Sequence, residues 1–297
     1  MKKMSCIFVL LIMVLYFIFA PSAALTASKN GLSLWFEQLL PTLLPFSILS
    51  YIILSSNLFA SFHKKIKWEW YIIICGFLFG FPIGSKLTAD CYREGWISKE
   101  NASILCCFTN NLSPVFVTAV LREQLGFPAS PLPYLLLYGL PFLFGILCLI
   151  IFGKNVSTQK NTASRFQLNM QIIDAGIING FETLIKICGY VIMFSIFSEM
   201  LKSLPIGNTV LKLLIIGCTE VTNGIAALTD TGLIIQIRFL LAILFLSWNG
   251  ISGLFQTASI LSKTDLSIRK YLKIKLILVT LTTGTASLFV FLGWIPI

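Results

Sequence analysis

Two charged residues stand where a lipid-facing helix could not easily hold them. Lys86 follows Gly80-Phe81-Pro82-Ile83-Gly84-Ser85, and Glu220 lies within Cys218-Thr219-Glu220-Val221-Thr222-Asn223-Gly224. Ionisable side chains in apolar segments are costly, which makes them functional candidates by default. Gly84 and Ser85 read as the start of a half-helix. Its free N–H groups and partial positive charge, with the Lys86 ammonium, would suit a carboxylate. The structural alternative is that Lys86 reaches the interface beside Asp90 along its aliphatic stem. Glu220 could accept a coupling proton or hold a cation such as Na+, with Thr219, Thr222, Asn223 and Gly224 around it. Its structural alternative is an ion pair with Lys86. Asn110, Asn111 and Ser113 in one apolar segment, and Asn249 and Ser252 in another, offer amides and hydroxyls at backbone breaks. These could bind a polar solute, or satisfy freed backbone groups and link helices.

Little else supports chemistry. The only histidine, His63, lies in a basic loop, no CxxC occurs, and no nucleophile–base pair falls within the apolar segments. The chain is therefore read as not an enzyme, without a metal site and without a cofactor beyond a coupling ion. The eight cysteines read as small buried thiols. The run from 80 to 85 has the wrong glycine spacing for a phosphate-binding loop and no βαβ context.

The elements that must position these residues are membrane spans. The chain is 57% hydrophobic and 11% charged, with a mean hydropathy of +0.89, against roughly 25% charged in soluble domains. The net charge of +10 is distributed in short runs between apolar segments. That pattern fits cytoplasmic loops beside anionic lipid and not a nucleic-acid surface. The expected fold is an all-α polytopic protein of the cell membrane. A first transmembrane helix covers residues 1–30, signal-peptide-like in its lysines and small residues, but read as an uncleaved anchor with a cytoplasmic N-terminus. A segment at 31–58 is kinked at Pro41 and Pro45. Residues 71–89 and 102–121 are apolar segments interrupted by Gly80-Phe81-Pro82 and by 109–114, and 134–152 is an ordinary span. A polar linker at 153–171 precedes segments at 181–204, 210–228, 233–261 and 274–296. The basic stretches at 61–70, 153–171 and 262–275 should share the cytoplasmic side.

The two halves are related. Residues 110–119 (NNLSPVFVTA) match 249–258 (NGISGLFQTA) at five of ten positions with an offset of 139. Gly84 and Asp90 meet Gly224 and Asp230 at an offset of 140, and Phe46-Ser47-Ile48-Leu49-Ser50 meets Phe194-Ser195-Ile196-Phe197-Ser198 at 148. The chain thus divides into repeat 1 (31–152), a linker (153–171) and repeat 2 (172–297). With all three basic loops on one side, equivalent helices must point opposite ways. This is an inverted-topology repeat in which one broken segment of each half is re-entrant.

Gly80-Phe81-Pro82 with Gly84, Lys86-Leu87-Thr88-Ala89, the connector through Gly95 and Ser98, and Phe108-Thr109-Asn110 with Pro114 resemble the YlbJ family of sporulation integral membrane proteins. Glu220-Val221-Thr222-Asn223-Gly224 resembles the Gate, or nucleoside recognition, domain. The resemblance implies a spore-forming source and a role in moving dipicolinic acid across a membrane surrounding the forespore. The expected function is therefore transport of a small organic anion. The alternatives are a nucleoside-like solute, or a non-transporting component of a sporulation or envelope complex. Expected partners are the solute and the lipid bilayer, with a homo-oligomer left open.

Overall fold

The computed structural model describes residues 2–56, 67–154, 167–229 and 231–294, and among these every regular element is helical. Helix α1 (Lys2–Phe19) ends at Ala20, and Pro21 opens α2 (Pro21–Leu34), its fixed φ suiting the first helical turn. The chain bends by 110° there. The small-residue stretch after residue 20 therefore starts the second helix and does not close the first. The expected boundary at residue 30 moves back accordingly.

α2 passes through a π turn (Trp35–Leu39) into α3 (Leu40–Ser55). One wide turn just before Pro41 accommodates a ring that lacks an N–H and would crowd the preceding turn. His63, Lys64 and Lys65 lie outside the described residues. The first half continues with α4 (Trp68–Phe79), α5 (Ile83–Arg93), α6 (Lys99–Phe108), α7 (Pro114–Thr118, prolonged by a π turn over Ala119–Gln124) and α8 (Leu132–Phe152). The second half comprises α9 (Met170–Lys202), α10 (Thr209–Thr219), α11 (Val221–Thr229), α12 (Ile235–Trp248), α13 (Gly250–Leu261) and α14 (Ile268–Phe291). Among the described residues, four helices are long and apolar enough to cross a membrane, or five if the bent α1–α2 pair counts as one.

Both halves have one order: a long helix, two pairs of short helices, a long helix. The first pair in each half turns back on itself. Trp68 at the start of α4 stacks on Trp96 after α5 with ring centroids 4.1 Å apart, so the hairpin leaves on the side it entered. In α10–α11 the return is so close that a Cβ on Gly224 would lie 2.3 Å from the Gly217 Cα. The second pairs run on. Ile235–Leu261 forms one span broken at Asn249, whose φ of 67° is left-handed, a conformation asparagine tolerates better than most residues. The α6 end of the first broken span is tied to Lys154, where Lys154 Nζ donates to Glu100 at 2.8 Å. Its other end lies by α12, where Arg238 donates to the Leu125 carbonyl at 3.3 Å.

The halves are inverted. Along the contact of the long helices, Gly176 faces Ile52, Gly180 faces Ile48 and Leu44, and Ser195 faces Gly31. One number rises as the other falls, so α9 runs antiparallel to α2–α3. Small residues let these backbones approach closely. Residues that the repeat makes equivalent bond in similar ways. Ser47 accepts from Lys86 on the first hairpin, and Ser195, its repeat counterpart, accepts from Asn223 on the second. Thr118 and Thr257 each donate to the carbonyl four residues back, at 2.7 and 2.9 Å. Asp230, one of the aligned residues, lies outside the described residues.

The described ends of the three basic stretches share a face. Lys99 reaches Asp265 at 2.5 Å, Lys154 reaches Glu100, Asn101 donates to Glu69 at 2.8 Å, and Gln167 N–H donates to the Ser56 carbonyl at 3.0 Å. One part of that reading is corrected. Residues 268–275 are not loop but the first turns of α14, and Lys275 is only 2% exposed.

Candidate solute site at the crossing of the broken helices

All four backbone breaks meet. In the first half Phe81 N–H donates to the Asn111 carbonyl at 2.5 Å, and a Cβ on Gly80 would fall 2.3 Å from the Ser113 nitrogen. In the second half a Cβ on Gly250 would lie 2.9 Å from the Thr219 carbonyl and 3.1 Å from the Glu220 Cα. The halves join where Asn249 Nδ2 donates to the Asn110 carbonyl at 3.1 Å, between the two asparagines the repeat makes equivalent. Asn110 Nδ2 donates to Thr257 (3.0 Å) and Tyr271 (3.1 Å). Irregular backbone at membrane depth requires such protein partners, and here they come from the opposite half.

Two cavities flank this crossing. The larger, about 350 Å³, is lined by Ser113, Glu220, Thr222, Asn249, Ser252 and Gln256 among its polar groups, with exposed Glu37 and Glu123 toward the end away from the basic face. Among the described residues no lysine, arginine or histidine lines it. The smaller, about 110 Å³, holds Lys86 and Asp90 with Arg93, Glu182, Lys186 and Lys263 toward the basic face. Ile187 and Gln256 line both and form their common wall.

Glu220 is 4% exposed. Its Oε2 accepts from the Thr222 hydroxyl, from Asn223 N–H at 2.8 Å and from Asn223 Nδ2 at 2.9 Å. These donors, supplied by the first turn of α11, hold the carboxylate at the hairpin tip in place of water. Asn249 and Gln256 each keep an amide oxygen without a hydrogen-bond partner, Oδ1 and Oε1, although both residues are buried. Ser252 Oγ accepts from Gln256 Nε2 at 3.1 Å.

Five of the expected site residues thus line one cavity: Ser113, Glu220, Thr222, Asn249 and Ser252. Asn110, Asn111, Thr219 and Asn223 stand behind them. The Asn111 side chain donates to the Phe108 carbonyl at 2.7 Å, and Thr219 donates to the Ile215 carbonyl at 2.7 Å. Lys86 is separate. Its Nζ donates to Ser47 Oγ (3.0 Å) and Asn179 Oδ1 (2.6 Å), so the ion pair with Glu220 does not form. Gly84, Ser85 and Gly224 serve packing. A Cβ on Gly84 would fall 2.2 Å from the Thr109 carbonyl, and the Ser85 hydroxyl donates to the Pro82 carbonyl at 2.9 Å. The start of α5 is thus filled by protein and offers a carboxylate no open cradle.

The chain aligns with the Sporulation integral membrane protein YlbJ of Bacillus subtilis (strain 168), 26% identical over 329 residues that cover 93% of this chain and 79% of the relative. The chain resembles YlbJ along nearly its whole length. The likeness to YlbJ therefore includes both hairpins and both broken spans, beyond the glycine–proline motif that first suggested it. No protein-family model matches the chain, and no solved structure matches it significantly. The finer resemblance of residues 220–224 to the Gate domain accordingly rests on those residues alone.

Two residues at the crossing escaped sequence reasoning. Gln256 occurred only as a mismatched position within the repeat. Lys275 was counted with its basic neighbours. Its signal was periodicity, because Tyr271, Lys275, Leu278, Thr282 and Ala286 form one buried helical stripe, while Leu276 and Ile277 are 48% and 53% exposed.

Proposed function

We propose that this chain is a membrane transporter of a small solute, acting in a membrane of the sporulating cell, with the basic face toward the cytoplasm. The observation that carries the reading is the pair of cavities meeting at Ile187 and Gln256, built where the breaks of two inverted halves cross. Discontinuous helices at a repeat interface are the usual setting for a substrate site.

The lining favours a neutral, hydroxyl-bearing or nucleoside-like solute. Asn249 Oδ1 and Gln256 Oε1 are acceptors without donors, Glu220 already carries a negative charge, and among the described residues no lysine, arginine or histidine lines the larger cavity to balance a dianion. A second reading, transport of dipicolinate, is favoured by Lys86, which with Arg93, Lys186 and Lys263 outnumbers Asp90 and Glu182 in the smaller cavity. The name of the Bacillus relative gives the sporulation setting for both. Uptake of labelled nucleosides and of labelled dipicolinate into proteoliposomes separates them. Nucleoside uptake that is lost in Glu220→Gln supports the first reading. Dipicolinate uptake that is lost in Lys86→Met supports the second. Uptake of neither, by protein shown to be folded, supports a non-transporting component of a sporulation or envelope complex.

A further inference from the structure

Lys275 is a buried ammonium, and among the described residues it forms no ion pair with a carboxylate. Its Nζ lies 3.4 Å from the Asn110 carbonyl and 3.4 Å from Asn111 Oδ1. Those oxygens belong to the break between α6 and α7, just past the C-terminal end of α6. There the carbonyls that leave the helix concentrate a partial negative charge. Carbonyl and side-chain oxygens at such an end are the donor set that broken helices present to an exchangeable cation. Here the protein supplies the cation from its own α14. In the first half the position 139 residues earlier than Lys275 is Leu136 of α8, which is buried and apolar. The equivalent Oδ1 atoms of Asn110 and Asn249 both stay unpaired, and the charge near the second break is Glu220. The two inverted halves therefore differ at equivalent places, with one break holding a fixed cation.

We propose that Lys275 is a positioning residue that acts as a tethered cation. Its charge holds the Asn110–Asn111 break in register, and through the Asn110 carbonyl it holds the contact to Asn249. A dissociable cation at this break is thereby made unnecessary. The proposal concerns stability and is independent of which solute, if any, is carried.

The test is thermal melting of full-length protein in nanodiscs, in choline, sodium or methylammonium chloride at equal ionic strength. Lys275→Ala removes the charge and leaves room, while Lys275→Gln keeps a neutral donor. The expected result is a fall in Tm of about 5 °C or more for both variants in choline. Methylammonium or sodium should restore at least half of the loss for Lys275→Ala only. A Lys275→Gln variant as stable as the wild type overturns the proposal, because a neutral donor would then suffice. A loss in Lys275→Ala that is equal in all three salts also overturns it. If Lys275→Ala yields no folded protein, Lys275→Gln decides: a wild-type Tm overturns the proposal, and a lowered Tm or no folded protein supports it.

Discussion

On the proposed reading Glu220 and Asn249 carry the site's chemistry, while Lys275 holds the break behind them. A buried carboxylate whose Oε2 already takes three donors from its own turn is poised, not free, and a solute hydroxyl would add to a formed cage. Hydrogen bonds to charged groups contribute roughly 1.5–3 kcal/mol. Glu220→Gln, which keeps the shape, should therefore weaken solute binding by about 10- to 100-fold, measured as the concentration giving half-maximal uptake. Asn249→Ala should act more broadly. It removes the link to the Asn110 carbonyl and places alanine at a φ of 67°, so loss of uptake should come with a lowered melting temperature. Uptake lost with an unchanged melting temperature would mean that the contact between the halves does not hold the crossing together.

The decisive elements are the re-entrant hairpins, and glycine makes them. Gly217 and Gly224 stand face to face between α10 and α11, with Phe245 of the broken span 3.1 Å from where a Gly224 Cβ would be. The near atom is backbone and cannot rotate away, so Gly224→Ala must push the hairpin apart. Overpacking of this kind costs about 1–3 kcal/mol. A clear fall in melting temperature is expected by scanning fluorimetry. Gly189→Ala is the control: it lies within α9 with nothing within 4 Å of its Cβ site, and it should cause no fall. Equal effects of the two substitutions would remove the packing explanation. The hairpins are short, 12 and 11 residues in the first and 11 and 9 in the second. At 1.5 Å per residue none of these helices spans a hydrocarbon core of about 30 Å. Reversal at a glycine-lined tip is consistent with that length.

Across the whole molecule, the inverted halves are clasped on the basic face by Lys99 and Asp265, with Tyr92 donating to the same carboxylate at 2.8 Å. The Lys99 hydrogen bond, then that of Tyr92, holds the Asp265 carboxyl below the usual aspartate range. The folded value is depressed, so the clasp contributes above the ordinary aspartate pKa and is lost as pH falls through the lower, folded value. The pair is exposed, so its effect should be small and screened by salt. Melting curves of wild type and Asp265→Asn should differ slightly at neutral pH and low salt and converge in strong acid or at high salt. A gap that persists in acid would assign the effect to something other than charge. Sidedness follows from the same architecture. Single cysteines at Lys154 or Lys263 should react with an impermeant reagent from one side of the membrane, and those at Gln124 or Lys202 from the other. Labelling of all four from one side would contradict the antiparallel arrangement of the halves.

The sequence by itself determined the membrane class, the breaks at residues 80–82 and 109–114 with their counterparts around 218–224 and 249–252, and the duplication. Each of these is written in local chemistry: apolar length, glycine and proline, and recurring polar residues. The inversion was also legible, because basic stretches must stay on one side and so fix the direction of the helices between them. Only the tertiary structure decided which break of each half turns back, since helix-breaking residues interrupt a helix equally whether the chain reverses or runs on. It also decided partners. Lys86 and Glu220 read as natural mates by charge, yet the wall of Ile187 and Gln256 stands between their cavities. Lys275 read as a loop cation among others, yet one helical stripe carried it to the centre. Charge and spacing name the candidates, but which oxygen each one reaches depends on how the two halves cross.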